Sequence, residues 1–79
     1  MKVSRDVNAS GLIKLLERYS YVVVRQTESH IRLCKSFGGK EHAITVPNHR
    51  LIKIGTLQGI IKDVCLVNSL DASEIYEQL

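Results

Sequence analysis

The sequence predicts an α+β fold: a helix, a three-stranded antiparallel sheet and a second helix, with a short C-terminal helix. Three observations carry this. Leu12, Leu15, Leu16 and Tyr19 recur at helical spacing near the start, and Leu57, Ile60, Ile61 and Val64 repeat that spacing near the end. Between them, residues 21–26, 29–35 and 42–46 are β-branched or alternating and are separated by turn-forming residues. A chain of 79 residues has room for a single domain over 1–79, with a core over about 8–66 and the short C-terminal helix over about 71–79.

In the first helix, Asn8 or Ser10 is the expected N-cap, since either side chain accepts a hydrogen bond from a free backbone N–H. Ile13 broadens the buried stripe, while Lys14, Glu17 and Arg18 turn outward. Three consecutive valines, Val22 to Val24, then favour a strand over a helix. The next strand alternates, with Ile31 and Leu33 on one side and His30, Arg32 and Cys34 on the other. A two-residue loop of Thr27 and Glu28 sets Arg25 opposite His30 and Val22 opposite Leu33. Val22, Val24, Ile31 and Leu33 then share the core face, and Val23, Arg25, His30 and Arg32 the other. A four-residue loop keeps that parity, whereas a three-residue loop requires a bulge.

Gly38 and Gly39 suit a hairpin into the third strand, whose Ile44 and Val46 face the core and whose Pro47 ends the pairing. Residues 48–54 read as a loop or short extended piece leading to Gly55. Thr56 is the expected N-cap of the second long helix, and Asn68 marks its exit. Asp71-Ala72-Ser73-Glu74 matches a capping box and opens the terminal helix through Tyr76 and Leu79. The simplest packing places both long helices on one face of the sheet and leaves the other face, with His30 and Arg25, open.

Charge is unevenly spread. Residues 1–62 hold all 11 Lys and Arg against four acids, and residues 63–79 hold four acids and no base, a split of +7 against −4. The first part attracts a polyanion such as RNA, although a merely solvated basic surface has the same composition. No apolar run reaches the roughly 20 residues that span a bilayer, and the N-terminal stretch has no apolar secretory core, so the expected location is cytoplasmic. Cys34 and Cys65 lack zinc-site spacing and read as two reduced thiols. The three histidines show no ligand spacing either, so no metal and no cofactor is expected.

Three segments together, GLIKLLERYSYVVVRQTESHIRL, ITVPNH and IGTLQGIIKDV, resemble the HicA family of small toxins, the mRNA interferase halves of prokaryotic toxin-antitoxin pairs. The similarity runs from about Gly11 to Leu66. It rests on Val24-Arg25-Gln26 before Ser29-His30, on Thr45-Val46-Pro47 before His49, and on Gly55-Thr56-Leu57. The resemblance implies a fold similar to double-stranded-RNA-binding domains, an endoribonuclease that cleaves mRNA, and a HicB-type antitoxin that masks it. It also implies that the histidine of the family's Gly-Ser-His motif, here His30 after Ser29, is catalytic. Glu28 stands where the family has glycine, which points to a turn longer or differently shaped than one needing a positive φ.

RNA cleavage without a metal needs a base for the ribose 2′-OH, stabilisation of charge on phosphorus, and an acid for the leaving oxygen. Histidine, with an ordinary pKa of about 6.5, suits the first or last role. Arg25 and Arg32 are candidate phosphate holders through their forked donors, as is Ser29 beside His30. Lys53 and Thr56 at the start of the second long helix form a further candidate phosphate seat, and His49 is a possible second acid or base. The bland alternatives are an exposed strand histidine, solubilising arginines and a capped helix beside a surface lysine. At the level of the whole chain, the rivals to a nuclease are an inactive RNA-binding module and a protein-interaction domain using the open sheet face.

Overall fold

The computed structural model describes residues 7–79; residues 1–6, the start of the expected domain, lie outside the described residues. Of the two candidate caps, Asn8 starts the first helix, its side chain accepting the Gly11 N–H at 2.7 Å. Helix α1 (Ala9–Arg18) buries Leu12, Leu15 and Leu16, as its periodicity predicts, and Ala9 with them, while Tyr19, the fourth residue of that stripe, is the half-buried C-cap. Ser20, at φ 73°, then reverses the chain, and the Tyr21 N–H donates to the Leu16 carbonyl at 3.2 Å.

The three strands β1 (Val22–Gln26), β2 (His30–Phe37) and β3 (Lys40–Pro47) form one antiparallel sheet in the order β1-β2-β3. Gly38 and Gly39 join β2 to β3 with φ of 53° and 76°, the two positive values that a two-residue hairpin turn matched to strand twist requires. Ile31, Leu33, Ile44 and Val46 point into the core, where they join the buried faces of α1 and of α2 (Ile54–Asn68). His30, Arg32 and Thr45 lie exposed on the opposite face of the sheet.

Two local expectations are overturned. Val22 and Val24 are not core residues: they are 61% and 56% exposed, and it is Val23 that packs against the core, paired with Leu33. Arg25 pairs with Arg32 and not with His30. The turn and a bulge explain both. The Thr27 N–H bonds the His30 carbonyl, so the tip is Glu28-Ser29 and the register beside it is shifted by two residues, which sets Arg25 across from Arg32 on the open face; a bulge between Val23 and Arg25 takes back one residue, and beyond it Val23 faces inward opposite Leu33. Without the bulge, a valine facing inward at position 23 would force the Arg25 charge off the open face. No described residue of this turn has a positive φ, so Glu28 fits without the strain that a glycine turn would impose.

Thr56 is a third correction, because α2 begins three residues earlier than a Thr56 cap would place it. Its N-cap is Lys53, which supplies no side-chain hydrogen bond, and Thr56 lies exposed within the first turn. The buried Ile52 anchors the approach, donating its N–H to the Val7 carbonyl at 2.9 Å, and the chain winds up directly beyond it. The helix ends as expected at Asn68, with Ser69 in the left-handed conformation. Asp71 caps α3 (Ala72–Glu77) by accepting the Ser73 N–H at 3.1 Å, and Ile75 and Tyr76 close the core.

At the far end of the core face from His30, a polar chain ties sheet to helix. The Tyr21 hydroxyl lies 2.7 Å from His42 Nδ1 and accepts from Asn68 Nδ2 at 3.2 Å, while Lys35 donates to Asn68 Oδ1. Burial pushes the Tyr21 hydroxyl above its ordinary 10.0; Asn68's hydrogen bond works against the rise, and Asp63 adds to it. A group held above its unfolded value contributes stability in full below that value and loses it as pH climbs, because the unfolded chain sheds its proton first. The urea midpoint is therefore expected to fall between pH 9 and pH 11, and to fall less in Tyr21→Phe; equal losses would remove Tyr21 as a cause.

Candidate active site

The turn before β2 is held from three sides, and all three act through backbone groups next to His30. Thr27 closes it: its N–H donates to the His30 carbonyl at 2.8 Å, and its Oγ1 accepts the His30 N–H at 3.0 Å. Beyond Pro47, the Cα partner of His30, Asn48 continues alongside the turn. Its N–H donates to the Ser29 carbonyl at 2.9 Å and its side-chain amide to the Thr27 carbonyl at 3.3 Å. With its backbone so fixed, His30 retains only side-chain freedom. The ring meets one neighbour, Ser29, whose Oγ lies 2.9 Å from Nδ1.

Around this ring the sheet forms a shallow depression of about 220 Å³, lined by Arg25, Thr27, His30, Arg32 and Thr45. Arg25 and Arg32 are direct cross-strand partners, two like charges side by side. Such a pair is unfavourable by a few tenths of a kcal/mol to about 1 kcal/mol on its own, and an anion held between the two relieves it. The depression is open to solvent. Among the described residues no group of three or more His, Cys, Asp or Glu side chains is arranged to hold a metal ion.

Residues 9–66, well over half of the chain, match the family described as the HicA toxin of bacterial toxin-antitoxin systems. The chain belongs to the HicA toxin family. Comparison with curated proteins and with solved structures gave no match. As a HicA toxin the protein is one half of a pair, which implies an antitoxin partner. Among the described residues, no helix is long and apolar enough to cross a membrane.

In this HicA chain Arg25, Ser29, His30 and Arg32 come together; the other sequence candidates do not. His49 lies exposed in a separate depression of about 650 Å³, with Asn8, Ser10, Asn48 and Arg50, and its carbonyl accepts the Ala9 N–H at 3.1 Å. Lys53 and Thr56 sit at the start of α2, and neither lines the His30 depression. Sequence reasoning passed over Thr27 and Asn48, which brace the turn. The signal for Thr27 is a hydroxyl three residues before the histidine in a turn, a pattern of side-chain-to-backbone bonding. For Asn48 there is none short of knowing that residue 47 pairs with residue 30.

Both cysteines are free and half-buried. Cys34 is on the His30 side of β2, two residues from Arg32, and Cys65 is on α2. Burial, then the nearby Asp71 and Glu74 carboxylates, push the Cys65 thiol above its ordinary value, which keeps it protonated and a poor nucleophile.

Proposed function

We propose that this HicA toxin is an endoribonuclease that cleaves mRNA by metal-independent acid/base chemistry centred on His30, and that a HicB-type antitoxin neutralises it. The observation that carries the reading is the exposed His30 ring in a depression it shares with Arg25 and Arg32. That is one proton-transfer group beside two phosphate-binding groups, on a backbone held rigid by Thr27 and Asn48.

The reaction follows from these parts. The ribose 2′-OH attacks the adjacent phosphorus as His30 takes its proton; the guanidiniums of Arg25 and Arg32 hold the non-bridging oxygens, where charge builds. The bond from phosphorus to the 5′-oxygen breaks, that oxygen takes up a proton from solvent water, and the proton held by His30 returns to solvent. The products are a 2′,3′-cyclic phosphate and a 5′-hydroxyl. His49, outside this depression, has the separate role of holding the strand beyond the cut, together with Arg50. Lys53 and Thr56 at the start of α2 contact phosphates farther along the strand. The four acids of residues 63–79 lie on α2, on α3 and at the Asp71 cap of α3, and so are kept off the open sheet face on which the RNA lies.

The deciding assay is cleavage of mRNA by the purified protein in EDTA, with and without His30→Ala. Loss of cleavage in the variant supports the reading, and undiminished cleavage rejects it. Binding supplies an independent measure. Arg25→Ala and Arg32→Ala are each expected to weaken RNA affinity and to reduce the slope of log K against log salt by about 0.7, one phosphate contact apiece on a single strand. Slopes equal to wild type would leave the two arginines as solubilising groups only.

A further inference from the structure

The contact between Ser29 and the His30 ring has a chemical consequence for which atom moves the proton. A histidine acting as a base at one ring nitrogen must carry its hydrogen on the other, and an unbraced imidazole exchanges the two at will. At 2.9 Å from Nδ1, the Ser29 hydroxyl is the group that meets this ring. Ser29 is itself held: its carbonyl accepts the Asn48 N–H, and the residues on either side are locked together by the Thr27 hydroxyl. The hydroxyl is therefore presented to Nδ1 by a fixed backbone.

We infer that Ser29 is the positioning residue of the site: its Oγ accepts the Nδ1–H of His30, so that Nε2 is the unprotonated nitrogen and takes the 2′-OH proton. This deepens the ribonuclease reading and rests on it. A hydroxyl suits the task because it bonds Nδ1–H equally well before and after the ring gains its second proton on Nε2. The bond therefore persists through proton transfer and strengthens as the ring becomes cationic. While accepting from Nδ1, Ser29 keeps its own hydrogen free for a phosphate oxygen, so orienting the base and touching the substrate are compatible duties. RNA lying over the depression excludes water from this exposed pair and makes the bond worth more than in the free protein.

The test has two arms. In the free protein, nitrogen NMR of the His30 side chain above its titration range is expected to report Nδ1–H in the wild type and in Ser29→Thr, and a shift toward Nε2–H in Ser29→Ala. In cleavage assays, Ser29→Ala is expected to lower kcat about tenfold, a part of the 10²–10⁴ that a positioned acid or base supplies, and to raise KM as its phosphate contact is lost. Ser29→Thr is expected to restore the rate. A wild-type ring that is predominantly Nε2–H, or a Ser29→Ala protein whose tautomer and kcat match wild type, overturns the inference. The ribonuclease reading fails separately, on a His30→Ala protein that still cleaves; in that case the tautomer measurement, which uses no RNA, still judges the Ser29 contact.

Discussion

His30→Ala is expected to lower the rate of RNA cleavage by two to four orders of magnitude while leaving the fold intact, as read by circular dichroism and the urea midpoint. The fold should tolerate the change because the ring is exposed and its one hydrogen bond within the protein goes to the adjacent Ser29 hydroxyl. The bonds that hold the turn run from the backbone of residue 30 to Thr27, and those survive in alanine. A correctly folded variant with wild-type cleavage would remove His30 from the chemistry. Arg25 and Arg32 give the experiment a second dimension: binding that persists in His30→Ala while cleavage vanishes distinguishes a lost proton-transfer group from a lost docking site.

Leu33→Ala is expected to lower the urea midpoint more than any surface substitution does, through a loss of about 2–5 kcal/mol. Leu33 is fully buried at the centre of the middle strand, flanked by Val23 and Ile44 on its neighbours. Truncating such a leucine costs about 2–5 kcal/mol, against a total stability of roughly 4–12 kcal/mol for a domain of this length. Val24→Thr, by contrast, should shift the urea midpoint little, since Val24 is more than half exposed at the bulge. A loss at Val24 as large as that at Leu33 would mean that β1 turns Val22 and Val24 inward, without the bulge. The two measurements therefore test the bulged register of β1.

That register is also where sequence reading reached its limit. Residues 30–34 alternate without interruption, and their inward and outward faces were legible because each side carries one kind of residue. Three consecutive valines carry no such alternation: a strand is evident, its facing is not. The choice fell to the bulge between Val23 and Arg25, which turns Val23 inward, while the turn at Glu28-Ser29, closed by Thr27 on His30, sets which residue stands across from Arg25. Likewise, Thr56 has the chemistry of a cap, but the anchoring of Ile52 against Val7 set the start of α2 elsewhere. His42 offered no sign of its bond to Tyr21, which depends on β3 lying beside β2 and on the C-terminal end of α2 reaching over both.

The sequence by itself determined the element order, the core residues of α1, β2, β3 and α2, the Asp71 cap, the glycine hairpin and the HicA family, because each depends on residues close together in the chain. Only the tertiary structure decided which valine is buried, that Arg25 stands across from Arg32, that Asn48 braces the His30 turn, and that His49 occupies a separate depression. Those outcomes arise from register and from contacts between distant segments. A single residue inserted as a bulge inverts the faces of the strand beyond it, and local propensity has no term for what lies opposite.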